Sequence, residues 1–338
     1  MWLIFICTGL AVIQSSLSDS GASAIIAGCA VCSAILAELL ITYKKHGFAI
    51  IKDGSAAASA MVFSLLLPNQ IHPVYAVLGA LFAMVVVKHS FGGLGANWLN
   101  PSLGGFLFVR LSWPGIYNSA LASSPLQIIN ESLRNGSEAL DAPMKLLAIS
   151  GEATDIGTAL DGIVRNFLND SVFSISGSEL PAGYIDLLIL RSPGIIADRG
   201  LLALLVGTII IGAFRISRPW IPIAYVGFFS LLVLAFGDLP FEGMLFKGDL
   251  LMALFSGGTV AAAFILVSDP ATGAKSGIGI LAGTLCAALL TWVFRYSHFE
   301  AYGAFFAIAL VNSFTPLLRF CESKFFYSRK IISQRESV

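Results

Sequence analysis

The sequence predicts an all-α polytopic membrane protein: about ten transmembrane helices in two five-helix repeats, with some helices short or broken. Three observations lead there. Charged residues make up only 12% of the 338 residues and hydrophobic ones 57%, with a mean hydropathy of +0.84, whereas a soluble domain carries about 25% charge. Apolar runs approaching the length of a bilayer span recur along the chain. Stretches of the second half echo stretches of the first.

The first five apolar segments run approximately over Trp2–Gln14, Ala24–Thr42, Gly54–Leu67, Pro73–Lys88 and Pro101–Leu111. A polar stretch follows from Ser112 to Asp198. The second five run over Arg199–Phe214, Pro219–Phe236, Asp249–Val267, Gly277–Phe294 and Ala301–Leu318. A full span needs about 20 residues, so the third and fifth segments are short. Short, glycine-interrupted segments in matching halves point to discontinuous helices beside a binding site. "GSAAASAMVFSLLLP" (Gly54 to Pro68) resembles "GGTVAAAFILVSDP" (Gly257 to Pro270), and "GGFLF" (Gly104 to Phe108) resembles "YGAFF" (Tyr302 to Phe306). The expected organisation is a first membrane repeat over 1–113, an external loop region over 114–197, a second repeat over 198–320 and a basic tail over 321–338.

Orientation follows from Lys and Arg in the short loops. Lys44, Lys45, Lys52, Lys88, Arg215, Arg218, Lys275 and the Arg319–Arg335 group all fall on one side of a ten-helix chain. That side is cytoplasmic, both termini are inside, and the long stretch after segment five is periplasmic. Arg295 is the main exception. No secretory signal with a small-residue cleavage site opens the chain. Twenty basic and twenty acidic residues balance, which argues against nucleic acid as a partner; membrane lipid is the expected surroundings.

Five cysteines form no disulfide or zinc framework. Cys29 and Cys32 share a helix face. Such a pair is either small packing between membrane helices or half of the four ligands of a cluster shared with another subunit. His46, His72, His89 and His298 make no ligand pattern. No catalytic side chain and no metal ligand is assigned.

Four places carry candidate chemistry. Ser150-Gly151-Glu152-Ala153-Thr154 sets hydroxyls among small residues that let a cofactor phosphate approach. Asp155 and Asp161 follow and could hold a metal or position that phosphate, although all these are also ordinary loop residues. "KHSFGGLGANWLNPSLGG" (Lys88 to Gly105) is either a re-entrant glycine turn or a cofactor or ion site. Irregular backbone at membrane depth is tolerated only when buried or lining a cavity. Its candidates are Gly92, Gly93, Asn97 and Asn100, and it does not have the setting of a dinucleotide fingerprint. In "LVSDPATGAKSG" (Leu266 to Gly277), Asp269 is a helix N-cap or a cation or proton ligand. Glu38, in an apolar helix, either reaches the interface or serves function. Two whole-protein readings follow: a cofactor-carrying subunit of a membrane redox enzyme, or a flavin-free secondary transporter.

Three ordered motifs resemble one family. "KHSFGGLGANWLNPSLGGFLFVRLSWP", "GGTVAAAFILVSDPATGAKSGIGILAG" and "GAFFAIALVNSFTPLLR" resemble patterns of the RnfD protein, the D-type component of the Rnf ion-translocating ferredoxin:NAD oxidoreductase. The same patterns occur in the NqrB protein of the sodium-pumping NADH:quinone oxidoreductase, and the length is nearer RnfD. The resemblance implies FMN joined through its phosphate, as a phosphothreonine ester, to a threonine outside the membrane. Thr154 is the matching position, with Ser150, Gly151 and Ala153 around it. Glu152 is an extra residue within the motif, Asp155 stands where proline is usual, and Leu147 stands at the place of an upstream Asp. These departures make Thr158 the fallback attachment. "SDP" replaces the usual T-D-P.

The resemblance further implies a second, non-covalent flavin, riboflavin, in the membrane part. Gly92, Gly93, Asn97, Asn100 and Asp269 are the expected surfaces for it or for the ion path. It implies a bacterial inner-membrane location, Na⁺ or H⁺ as coupled ion, partners of the Rnf A, B, C, E and G kinds, and a flavin transferase. The polar segment that often precedes helix one in that family is missing ahead of Trp2, which implies a start upstream of Met1.

Overall fold

A computed structural model describes residues 1–46, 52–93, 97–117, 155–173, 180, 183–191, 194–216, 218–237, 240, 245–246, 248–297 and 302–336. All regular structure among them is helical: α1 (Trp2–Ser18), α2 (Ala22–His46), α3 (Ser55–Leu65), α4 (Pro73–Phe82, prolonged by wider turns over Ala83–His89) and α5 (Pro101–Ser112). Then come α6 (Asp155–Leu168), α7 (Tyr184–Asp186, prolonged over Leu187–Arg191), α8 (Ile196–Arg199), α9 (Leu201–Ala213) and α10 (Trp220–Phe236). The last are α11 (Leu250–Phe255), α12 (Thr259–Ala261, prolonged over Ala262–Leu266), α13 (Gly277–Tyr296) and α14 (Gly303–Glu336). Three stretches, Ala22–Tyr43, Gly277–Tyr296 and Gly303–Lys324, are long and apolar enough to cross a membrane.

The helices sort their side chains in the manner of membrane helices. Small residues face inward and aliphatics outward. On α2, Ala27, Ala30, Ala34 and Ala37 are buried, whereas Leu36 and Leu40 are exposed. The inward stripe packs on α3 and α4. Helix α3 has no outer face: Ala56, Ala57, Ala58, Ala60, Val62, Phe63 and Leu65 are all buried, as expected of a helix that is apolar all round. Local signals set the ends. His72 and Asn100 are N-caps followed by Pro at the first helical position, where the missing N–H costs nothing.

Contacts across the chain join its two halves. Helix α1 packs along α9. Gln14 on α1 accepts from Ala203 N–H and donates to the carbonyls of Leu188 and Ile189. Ile196 N–H donates to Leu67 O at 2.9 Å beside the antiparallel bridge of Pro68 with Ile195. The two matching segments "GGFLF" and "YGAFF" lie against each other: Phe106 meets Phe305 edge-on at 4.9 Å and Phe306 at 6.0 Å. Buried Gly79 and Gly105 bring α4 and α5 together; a Cβ on Gly105 would lie 2.9 Å from Gly79 O.

Three expectations change on contact with the structure. The apolar run Asp249–Val267 is not one helix. It breaks at Ser256–Gly258 into α11 and α12, with Gly257 and Gly258 in the left-handed region. The polar stretch contains helices, including α6. The last helix does not stop near Leu318 but runs to Glu336.

Gly200 tests the packing of α1 on α9. Its Cβ position lies 2.3 Å from Ala11 O, a backbone atom that cannot step aside. Gly200→Ala should lower stability by about 1–3 kcal/mol, read as a lower thermal midpoint in detergent, whereas a substitution at the open Gly212 should not.

Candidate functional site

The break of α12 exposes backbone N–H groups that need acceptors inside the protein. Asp198, on the short α8 outside the apolar runs, supplies them. Its carboxylate accepts from Gly258 N at 2.8 Å and Gly257 N at 3.1 Å. The same break gathers Arg295, buried at the end of α13. Its guanidinium donates to Ala253 O (2.7 Å), Thr259 Oγ1 (2.5 Å) and Ser256 Oγ (2.9 Å), and lies 5.6 Å over the Phe229 ring. The residue that looked like an orientation exception in a loop is therefore turned inward. Burial pushes the Asp198 carboxyl up to about 7, against the opposing pull of the Gly258 N–H, the Arg295 charge and the Gly257 N–H.

The first half has a counterpart. Gly54, also left-handed, precedes α3 much as Gly258 precedes α12. Ser55, next in line, accepts from Lys88 Nζ at 2.7 Å, as Thr259 accepts from Arg295. Lys88, at the end of α4, also donates to Glu38 Oε1 at 2.6 Å, with the two side chains 2% and 5% exposed. Glu38 thus pairs inside the helix bundle and does not reach the interface.

Between the halves lies a cavity of about 300 Å³. Its polar wall holds Lys88, Asn97, Asn100, Ser102, Asp269 and Thr272; its apolar wall holds Ile4, Val62, Ile211, Phe264 and Ile265. Asn100 does two things at once. Its Oδ1 accepts from Ser102 N at 2.9 Å, capping α5, and its Nδ2 donates to Asp269 Oδ2 at 2.8 Å. Asp269 also accepts from Ala271 N at 3.0 Å. It therefore braces its own turn and the other half of the protein, and the N-cap of the next helix is Ser276. Burial raises the Asp269 carboxyl above its ordinary range, opposed by the Ala271 N–H and Asn100. From α14, Arg319 grips this turn by donating to Ala271 O (2.9 Å) and Gly273 O (2.6 Å). Asn97, with its amide turned to donate, reaches the carbonyls of Lys88, Gly93 and Val87 at 3.0–3.3 Å.

Of the sequence candidates, Asn97, Asn100 and Asp269 meet at this one cavity. Gly92 and Gly93 do not line it; they form the left-handed turn that lets the chain leave α4. Ser150, Gly151, Ala153 and Thr154 lie outside the described residues, and Thr158 is in the first turns of α6. Asp161 is not free for a metal or a phosphate: it caps α7 by accepting from Gly183 N (3.0 Å) and Ile185 N (3.1 Å). Cys29 is half-buried and Cys32 exposed. Among the described residues no three of His, Cys, Asp and Glu converge as a metal centre. Sequence reasoning passed over Lys88, Ser55, Asp198 and Arg295 as site residues. Their signal was a Lys and an Arg at the ends of matching apolar segments.

The chain has known relatives. The model of the NQR2, RnfD, RnfE family matches residues 1–327. The D-type component of an ion-translocating oxidoreductase complex from Colwellia psychrerythraea is 30% identical over 300 residues, covering 86% of this chain and 82% of that one. Its counterpart in the proton-translocating ferredoxin:NAD(+) oxidoreductase complex of Clostridium ljungdahlii is 26% identical, covering 85% and 78%. The D-type component of the ion-translocating oxidoreductase complex of Escherichia coli K12 is 28% identical, covering 85% and 81%.

Two outcomes follow from this geometry. Asn100→Ala removes a helix cap and a hydrogen bond to a carboxylate, and should cost about 2–4 kcal/mol, measured as a drop in thermal midpoint. Asp198 sets a slope with pH. Its folded value of about 7 lies above its ordinary 3.8, so between those values the folded state holds a proton that the unfolded state has released. Its contribution to stability falls as pH rises through that window, and Asp198→Asn should flatten the slope.

Proposed function

The chain belongs to the NQR2, RnfD, RnfE family, and we propose that it is the RnfD-type membrane component of an Rnf ion-translocating oxidoreductase, a flavoprotein that couples electron transfer to movement of Na⁺ or H⁺. The observation that carries this is the match along residues 1–327, together with relatives named as the D-type components of such complexes. It is a component of a multi-subunit membrane complex, and it completes no reaction alone. Its partners are the other Rnf-type subunits and a flavin transferase.

In this reading Thr154 carries FMN through its phosphate, on the periplasmic side, with both termini cytoplasmic. The protein is two inverted five-helix repeats. Gly54/Ser55/Lys88 and Gly258/Thr259/Arg295 are corresponding places, and the packing of Phe106 on Phe305 lies between the repeats.

The second flavin is riboflavin in the cavity between the halves. The residues there suit a flat ring with one apolar face and one hydrogen-bonding edge. Val62, Phe264 and Ile265 offer the face; Asn100, Ser102 and Thr272 offer polar groups. Its volume of about 300 Å³ is at the lower end for a small-molecule site. A bound flavin supplies the redox chemistry. The chain's own residues hold it, exclude water and set the charge around it: Lys88 and Asp269 both face the cavity.

A denaturing gel viewed under ultraviolet light tests the covalent link. With the transferase co-expressed, the unmodified protein should give a fluorescent band that Thr154→Ala loses and Thr158→Ala keeps. Loss in Thr158→Ala alone would move the attachment four positions. No band at all would overturn the flavoprotein reading in favour of a flavin-free transporter.

A further inference from the structure

Asn312, near the middle of the membrane stretch of α14, carries a donor that nothing in the protein receives. The residue is 6% exposed, and its Nδ2 is buried with no hydrogen-bond partner. Leaving such a group unsatisfied is costly, and in a native protein it marks a place where something else completes the bonding. The backbone lacks a partner at the same residue. Pro316 lies inside α14 and has no N–H to close on the Asn312 carbonyl four positions back.

Asn312 lines a cavity of about 40 Å³ between α13 and α14, which shares no lining residue with the larger cavity between the halves. The room comes from α13, where Gly279, Gly283 and Ala287 line it at successive turns. Two hydroxyls also reach it, Thr284 and Thr315, each 3% exposed. They donate to their own helices, at Ile280 O (2.8 Å) and Val311 O (3.1 Å), so each offers the cavity an acceptor oxygen. None of the described lining residues is charged, and an amide donor facing the space disfavours a cation. A buried water needs about 10–15 Å³ of such space and two to four polar partners. Val267, Gly273 and Ala274 close the cavity, so it lies behind the turn that carries Asp269. Arg319 grips that turn from three positions beyond Pro316.

We propose that Asn312, Thr284 and Thr315 form a built site for buried water, about two or three molecules. The water accepts from Asn312 Nδ2. It donates to the two threonine oxygens and to the carbonyl that Pro316 leaves open. Water thus completes α14 at its proline, as it does at other interrupted helices, one turn before Arg319 holds the Asp269 turn. The site needs no flavin and stands independently of the flavoprotein reading.

The test uses the full chain in native membranes, with water itself as the probe. Brief X-ray irradiation turns water into hydroxyl radicals that oxidise the side chains beside it, and peptide mass spectrometry locates them. Ile308, 2% exposed, and Val311 line the cavity and should be oxidised despite their burial. Mixing with heavy-oxygen water just before irradiation separates bound from bulk water. Phe246, 70% exposed, should take up heavy oxygen, while Ile308 should take up ordinary oxygen from water that exchanges slowly. Asn312→Leu, close in volume, should lower oxidation of Ile308 several-fold and leave Phe246 unchanged, whereas Asn312→Ser should keep it. If Asn312→Leu fails to fold, Thr284→Val takes its place with the same expectation. Three results overturn the site: no oxidation of Ile308 and Val311 in the unmodified protein, as much heavy oxygen there as on Phe246, or oxidation that ignores the substitution.

Discussion

Everything in this protein depends on closing the breaks in its own helices from within. A bilayer offers no hydrogen bonds, so each N–H or carbonyl freed where a helix stops must find a protein partner. At Gly257 and Gly258 the partners are the Asp198 carboxylate for the donors and Arg295 for the Ala253 carbonyl. At Ser55 the donor is met by Asp53. At Asn100 and Asp269 the closing groups also meet each other. Asp198, Arg295, Asp53 and Asn100 act where the backbone is interrupted.

That constraint explains why charge and cavity coincide. A continuous helix needs no side-chain help and leaves no room. A broken one leaves both a gap and a cluster of charged or hydroxyl side chains. Arg295 and Lys88 are buried because each satisfies several oxygens at once, the condition under which a buried charge is tolerated. Lys88 lines one wall of the cavity between the halves, while Phe264, Ile265 and Val62 line the other.

Much of this could be read before any coordinates. The apolar runs marked the helices because outward aliphatics and inward alanines raise hydropathy on every face at once. Pro73 and Pro101, each after a capping residue, marked two helix starts. Asn97, Asn100 and Asp269 stood out as amides and a carboxylate in glycine- and proline-rich punctuation. The interruption of Asp249–Val267 was harder to see: Ser256-Gly257-Gly258-Thr259 is a dip of only four residues in an otherwise apolar run. Asp161 stayed open because an aspartate in a polar stretch looks the same whether it waits for a metal or caps a helix 22 residues away. Glu38 stayed open between an interfacial and a functional reading because its partner lies 50 positions on.

The sequence by itself determined the membrane class, the family motifs and the capped helix starts at Pro73 and Pro101, since those rest on local composition and on short-range capping. Only the tertiary structure decided which polar residues meet. Asn100 reaches Asp269 across 169 positions and Arg295 reaches Ser256 and Thr259 across 39 and 36. Such pairings are set by how the helices pack, and packing among small residues and aliphatics leaves no mark on the sequence near the charges it brings together.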